Sequence, residues 1–177
     1  MQLYRWPTSP YVRKVKVLLL KAGIHDRVDK FFISPFECVN TPHNRNLLSK
    51  PPALVLDAGA VMFDFSMICE YADRTHDGLH LFSKGNAAQR QALCPQADAD
   101  GVLDALLLRR REGRPSKTWV GHQMSAVHRA LASFEARVDE LRDRITIGHI
   151  NIAVALSYMN FPFSAKDWRH LTPVLPT

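Results

Sequence analysis

The sequence predicts an α/β unit over residues 1–76 and an all-helical unit over residues 86–177, joined by a linker at 77–85. Three observations predict this organisation. The first 33 residues show a strand–helix–strand pattern, and residues 46–73 combine a Pro-Pro pair, two short apolar runs and a helical face. From residue 86 onward the apolar residues recur only at helical spacing. This change of periodicity indicates two structural units within 177 residues.

The opening of the chain predicts a parallel strand pair with a helix between its strands. Gln2–Trp6 is a first short strand candidate, and Val28–Ile33 is a second. Between them Ser9 is a preferred N-cap and Pro10 is favoured at the first helical position. Gly23 supplies the C′ residue that ends the helix. A β-α-β unit of this kind predicts a right-handed crossover.

The stretch from Asn46 to Asp73 predicts a loop, a hairpin and a helix. Pro51-Pro52 precedes the apolar run Ala53–Leu56, and a turn sequence with Gly59 separates it from Ala60–Phe63. Proline cannot donate to a strand ladder, so its place before a strand is unusual, and a cis X-Pro bond is one way to turn the chain there. Apolar residues after Asp64 then recur on one face of a helix.

The second half predicts helices only. Residues 87–112 form one long helix candidate, which Pro95 should kink or shorten. Residues 116–142 form a second, with an apolar stripe that runs to Leu141. Residues 150–158 are nearly all apolar and predict a buried helix. Short helices are further predicted within 34–49 and over 165–171.

Bulk composition excludes several classes of function. The chain is 46% hydrophobic and 23% charged, and no apolar run approaches the roughly 20 residues that span a bilayer, so neither a membrane segment nor a signal peptide is expected. The formal charge of +6 is dispersed apart from Arg109-Arg110-Arg111, and a nucleic-acid stripe with interleaved aromatics is absent. Three cysteines, Cys38, Cys69 and Cys94, fit a reducing cytoplasm, with Cys69 as a small packing residue.

The eight histidines do not predict a metal site. His76 and His80 are four residues apart, but they lie at the predicted linker, which contains Gly78. No other pair has ligand spacing. No metal is therefore expected. Phosphate-binding glycine loops, a Cys-x-x-Cys pair and a G-x-S-x-G nucleophile motif are also missing from the sequence.

Several motifs in order resemble the glutathione S-transferase superfamily, in its bacterial type with a serine in the active site. The matching residues are Ser9-Pro10-Tyr11-Val12-Arg13-Lys14-Val15, Asn46, Lys50, Pro52-Ala53-Leu54, Gly59, Asp64, Ile68, Glu70, Tyr71, Asp100-Gly101, Asp104-Ala105, Thr146, Gly148, Ile150 and Trp168. The resemblance implies a thioredoxin-like amino-terminal domain, a helical carboxyl-terminal domain and a homodimer. It also implies detoxification chemistry that joins glutathione, as co-substrate, to a small hydrophobic electrophile.

The resemblance assigns a role to each candidate site residue. The Ser9 hydroxyl would stabilise the glutathione thiolate, helped by the positive end of the following helix. Pro52 would present a strand edge to the cysteinyl part, and Lys50 would attract the glycyl carboxylate. Asp64 and the next two residues, Phe65 and Ser66, would hold the γ-glutamyl end. The alternative for Ser9 is that it serves only as an N-cap.

Four departures from the family pattern favour a diverged protein. Pro51 replaces Val or Ile and has no N–H for the ligand. Phe65 replaces a serine, and His149 replaces the aspartate of a capping box that begins at Thr146. The chain is also shorter at its carboxyl end, which predicts an open second-substrate pocket. The alternative function is therefore a non-catalytic dimer of the same fold that has lost or weakened glutathione binding and acts as an interaction module.

Overall fold

A computed structural model of the chain describes residues 1–34, 46–111, 113–114, 116–142, 144–161 and 168. The chain divides into two compact units, Met1–His80 and Leu81–Thr177. Within the described residues, no helix has both the length and the apolar character that crossing a membrane requires. The predicted short helix within 34–49 falls mostly on residues outside the described part, and the one predicted over 165–171 has only Trp168 inside it.

The first unit is a four-stranded sheet with two helices. Its elements are β1 (Gln2–Arg5), α1 (Pro10–Lys21), β2 (Asp29–Phe32), β3 (Ala53–Val55), β4 (Val61–Met62) and α2 (Phe65–Asp73), with a 3₁₀ turn at His25–Arg27. The strand order is β2-β1-β3-β4. Strand β1 is parallel to β2 and antiparallel to β3, and β3 is antiparallel to β4. This confirms the predicted thioredoxin-like arrangement.

The strand register brings three connecting segments to one end of the sheet. Tyr4 lies opposite Ala53, and Leu54 lies opposite Met62. The carboxyl ends of β1 and β4 therefore lie beside the amino end of β3. The chain that enters α1, the loop that leads into β3 and the start of α2 must consequently meet at this end.

Helix α1 begins and ends as the sequence predicts. The Ser9 Oγ accepts a hydrogen bond from the Val12 N–H at 3.3 Å, and Pro10 is the first helical residue. At the other end Gly23 has φ +67°, and the N–H groups of Gly23 and Ile24 bond to the carbonyls of Leu20 and Leu19. These two bonds satisfy the last helical carbonyls in a Schellman motif, which needs a residue with positive φ.

The predicted hairpin is present, although its strands are shorter than expected. The Leu56 N–H bonds to the Ala60 carbonyl at 2.9 Å, and Gly59 occupies a backbone conformation with φ +85°. All three residues of β3 are buried, whereas both residues of β4 are half-buried. The central strand β3 therefore supplies the hairpin's contribution to the core.

The second unit consists of helices. They are α3 (Asn86–Arg111), α4 (Lys117–Ala136), a 3₁₀ turn at Glu140–Arg142 and α5 (Ile147–Met159), and α3 packs against both α4 and α5. Helix α5 is buried except at Ala153, Ser157 and the half-buried His149, as its apolar sequence predicts. Pro95 lies inside α3 and does not shorten it. A Cβ atom at Gly148 of α5 would lie 3.0 Å from the Pro95 Cβ, so the proline ring faces α5.

The prediction of one helix over 116–142 was wrong at its carboxyl end. Helix α4 ends at Ala136, and residues 137–142 continue as turns. There Arg137 donates to the Ser133 carbonyl at 3.2 Å and to Asp98 of α3 at 2.9 Å. The Leu141 N–H is shared between the carbonyls of Arg137 and Val138. Such turns keep nearly helical spacing, so the apolar stripe continued past the true helix end.

Helix α5 has a capping box in which histidine replaces the usual carboxylate. The Thr146 N–H donates to the His149 Nδ1 at 3.0 Å, which places the proton of a neutral ring on Nε2. That Nε2 is buried and has no hydrogen-bond partner among the described residues. A buried donor without a partner costs stability.

Replacing this histidine with aspartate should stabilise the protein. His149→Asp retains an acceptor for the Thr146 N–H, adds a negative charge at a helix N-terminus and removes the buried Nε2. We expect a gain of about 0.5–1 kcal/mol and a rise in melting temperature of a few degrees, measured by circular dichroism. His149→Ala, which loses the acceptor, should melt lower than the wild type. An unchanged or lower melting temperature for His149→Asp would contradict the capping role.

Candidate functional site

Ser9 lies at the amino end of α1, where backbone donors are concentrated. Its backbone is extended, with φ −77° and ψ 122°, and its side chain is half-buried. The Oγ accepts from the Val12 N–H, which leaves the hydroxyl proton able to donate in another direction. Ser9 therefore combines an N-cap with a hydrogen-bond donor located in the positive field of a helix end.

The loop before β3 is held by a buried asparagine. Asn46 is 4% exposed, its amide donates to the Lys50 carbonyl at 2.5 Å, and its Oδ1 accepts from the Leu48 N–H. The Lys50 side chain is exposed. The following Pro51-Pro52 peptide bond is cis, with Pro51 half-buried and Pro52 buried. The sequence indicates Asn46 only as a motif match, and the structure shows that it fixes the backbone on which Lys50 and Pro51 lie.

The start of α2 holds the three remaining candidates. Asp64 is the N-cap, and its Oδ1 accepts from the Ser66 N–H at 3.0 Å. The Ser66 N–H is therefore already used within the protein. Phe65 is the first helical residue and is half-buried.

An aromatic pair connects the two helix starts. The rings of Tyr11 and Phe65 stack with their centroids 4.6 Å apart and their planes 13° apart. The ammonium of Lys14 lies 4.1 Å from the Phe65 centroid and 5.3 Å from the Tyr11 centroid, and the Lys14 side chain is completely buried. Cation–π attraction of this kind lowers the cost of burying the charge. We call these three residues the aromatic–lysine cluster.

The position of Lys14 in the sequence is consistent with its burial, although the apolar pattern alone did not predict it. Lys14 lies three residues after Tyr11 and four before Leu18, and so shares a helix face with both. A lysine at such a position ordinarily indicates polar surface. Its burial depends on Phe65, which comes from another helix.

Cys69 does not act as a thiolate. It is 2% exposed, and burial raises the pKa of its thiol to about 12, although the nearby Lys14 lowers it. Because of this raised pKa, the thiol stays protonated at neutral pH. The thiolate is the reactive form, so Cys69 is not a nucleophile. This confirms the prediction that Cys69 is a packing residue.

The architecture and these motifs define a class of protein. Residues 8–75 match the family described as the glutathione S-transferase N-terminal domain. The chain is also 31% identical to an Escherichia coli K12 protein named as the uncharacterized GST-like protein YibF, over 95% of this chain and 86% of that protein. The chain therefore belongs to the glutathione S-transferase superfamily.

Solved structures similar to this chain include proteins with glutathione bound. A glutathione transferase family member from Pseudomonas fluorescens Pf-5, crystallised with glutathione, has a TM-score of 0.89 and 36% identity, with 97% of this chain and 88% of that chain covered. A glutathione transferase family member from the same Pseudomonas fluorescens strain, crystallised with S-(propanoic acid)-glutathione, has a TM-score of 0.87 and 36% identity. A glutathione S-transferase from Methylobacillus flagellatus KT with glutathione bound has a TM-score of 0.84 and 26% identity.

Proposed function

We propose that this protein conjugates the thiolate of glutathione to small hydrophobic electrophiles. The observation that carries the proposal is the convergence of Ser9, the cis Pro51-Pro52 loop and the start of α2 at one end of the sheet. This convergence joins a thiolate-stabilising hydroxyl, a strand edge and a helix N-terminus. Glutathione bound to structures that are 36% identical supports the choice of ligand.

In this proposal each segment binds one part of glutathione. The Ser9 hydroxyl donates to the sulfur and favours the thiolate, the nucleophile in the transfer. Pro52 begins the strand edge beside the cysteinyl unit, where Pro51 offers only its carbonyl. The exposed ammonium of Lys50 attracts the glycyl carboxylate. Asp64, Phe65 and Ser66 surround the γ-glutamyl end.

The aromatic–lysine cluster offsets the absence of a serine at position 65. The Lys14 ammonium lies 4.1 Å from the Phe65 ring, and so places a positive charge near the start of α2. The helix N-terminus adds its own positive end. A γ-glutamyl carboxylate at this point would be attracted by both charges, without the hydroxyl that Phe65 cannot provide.

Restoring a backbone donor at position 51 should strengthen glutathione binding. Pro51 has no N–H, so the carbonyl of the cysteinyl unit lacks one hydrogen bond of an antiparallel pairing. Pro51→Val adds that donor, which is worth about 0.5–1.5 kcal/mol, and the dissociation constant should fall by up to about tenfold in calorimetry. Pro51→Ala adds the same N–H with a smaller side chain, so a similar gain would assign the effect to the backbone. Weaker binding by both variants would contradict this pairing.

The same titration tests the proposed function. Wild-type binding with millimolar to micromolar affinity, about −4 to −8 kcal/mol, together with turnover of a chromogenic electrophile, supports the transferase. Binding only by Pro51→Val would indicate that the natural proline at position 51 disables the site. If no variant binds, the second candidate function leads, a non-catalytic interaction module, which Pro51 and Phe65 favour.

We also propose a homodimer with a role in detoxification. This proposal rests on membership of the superfamily, and no contact described in the single chain is used to support it. Light scattering of the purified protein should give twice the 20.1 kDa mass of the chain. A mass near that of one chain would argue against the dimer, and a dimer without glutathione turnover would favour the interaction module.

A further inference from the structure

Two histidines and a carboxylate converge just beyond the carboxyl end of α2. Asp73 is the last residue of the helix, and its side chain is 2% exposed. The His76 Nε2 lies 3.8 Å from one Asp73 oxygen, and the His80 Nδ1 lies 3.6 Å from the other. The two imidazole rings stack at 5.2 Å. One potential ligand atom from each of the three residues lies within 4.8 Å of the other two.

These separations are close to those in a zinc site. Zinc–nitrogen and zinc–oxygen bonds of about 2.0–2.2 Å in tetrahedral geometry hold neighbouring donor atoms roughly 3.3–3.6 Å apart. The 3.6 Å separation lies at the upper edge of that range and the 3.8 Å separation just above it, each to a different Asp73 oxygen. All three ligand atoms lie within 4.8 Å of one another, so binding one ion requires the side chains to move closer together. Two imidazoles and one carboxylate form a donor set that zinc uses with a fourth position open to water. We propose that Asp73, His76 and His80 bind a Zn²⁺ ion.

Zinc would replace two hydrogen bonds that now orient the rings. The His80 Nδ1 lies 2.6 Å from the Asp73 carbonyl, and the Gly78 N–H donates to the His76 Nδ1 at 2.9 Å. A neutral His76 therefore carries its proton on Nε2, and metal binding moves that proton to Nδ1 and turns the Gly78 N–H away. Residues 74–80 contain neither helix nor strand, so the backbone there can make this adjustment.

The zinc site is separate from the proposed glutathione site. Asp73 ends α2, whereas Asp64 to Ser66 begin it, and nine helical residues span about 13 Å. The ion would tie the end of the helix to residues 76–80, the last residues of the first unit. The sequence did not predict a metal because the histidine pair lies at the predicted linker, which contains Gly78. Asp73, three residues before His76, completes the donor set.

Cobalt titration of untagged, chelator-treated full-length protein tests the proposal. Co²⁺ should bind with one ion per chain and give visible absorption bands, and Zn²⁺ should displace it. Outer-shell substitutions at metal sites typically cost 10- to 100-fold in affinity, so loss of a ligand in His76→Gln or His80→Gln should cost at least about 100-fold. His25→Gln is the matched control because His25 also faces a carboxylate, that of Asp26 at 3.2 Å.

A measurement on the wild type keeps the test independent of how the variants fold. Diethyl pyrocarbonate modifies accessible imidazoles, and mass spectrometry locates the product. Zn²⁺ should protect His76 and His80 but not His25. The proposal would be overturned if cobalt did not bind stoichiometrically, or if both glutamine variants kept the wild-type affinity. It would also be overturned if the His25 variant lost as much affinity as they do, or if Zn²⁺ failed to protect His76 and His80.

Discussion

Ser9→Ala should lower kcat/KM for glutathione conjugation by about 10- to 150-fold. This range corresponds to the loss of a hydrogen bond to a charged group, about 1.5–3 kcal/mol. The geometry allows this loss because the Ser9 Oγ accepts from Val12 and retains a proton to donate to a sulfur. Steady-state kinetics with glutathione and a chromogenic aryl halide would measure it. Ser9→Thr, which retains a hydroxyl, should recover part of the activity.

A second N-cap serine separates catalysis from helix capping. The Ser116 Oγ accepts from the Trp119 N–H at 3.1 Å at the start of α4, so Ser116→Ala removes the same kind of bond. Both alanine variants should lose about 1 kcal/mol of stability. Only Ser9→Ala should lose activity. Equal activities for the two variants would show that Ser9 acts only as a helix cap and not in catalysis.

The pH dependence gives an independent check on the role of Ser9. A hydroxyl that donates to the thiolate stabilises the charged form and so lowers the pKa of the bound glutathione thiol. Removing the hydroxyl should raise that pKa towards its ordinary value near 8.5. The activity of Ser9→Ala relative to wild type should therefore be lowest in mildly acidic buffer and recover as the pH rises. A constant ratio across the pH range would argue against thiolate stabilisation.

Gly148→Ala should destabilise the protein strongly for a change of one methyl group. A Cβ at this position would lie 2.7 Å from the Ala92 backbone carbonyl and 3.0 Å from the Pro95 Cβ, both on α3. Since a carbonyl in a helix cannot turn aside as a flexible side chain can, α5 and α3 must separate. Overpacking of this kind costs about 1–3 kcal/mol. The expected fall in melting temperature is several degrees.

Gly121→Ala is the matched control for that substitution. Gly121 lies inside α4, is exposed, and has nothing within 4 Å of its Cβ position. Alanine there should stabilise by up to about 1 kcal/mol through helix propensity, a gain that Gly148→Ala shares. Because this gain is common to both variants, they should differ by the overpacking cost alone, about 1–3 kcal/mol, in denaturant unfolding. Equal stabilities would show that α3 and α5 do not pack closely at Gly148.

Local chemistry explains which elements the sequence predicted well. Ser9, Pro10 and Gly23 act through the backbone within one or two turns, so their pattern determines where α1 starts and stops. The hairpin around Gly59 is similarly local. The end of α4 was missed because Arg137 bonds to Asp98 of α3, a residue 39 positions away. A contact over that separation leaves no trace in the local apolar pattern.

For the candidate site, the sequence alone determined the residue types and their order along the chain. It placed Ser9 at a helix start, Pro52 before a strand and Asp64 at a second helix start, because each assignment depends on neighbouring residues. Only the tertiary structure decided what surrounds them. The burial of Lys14 depends on Phe65, and the donor set around Asp73 depends on how residues 74–80 turn back. The reason is physical: capping and turn preferences act over a few residues, whereas burial and ligand geometry arise from chain segments that meet only after folding.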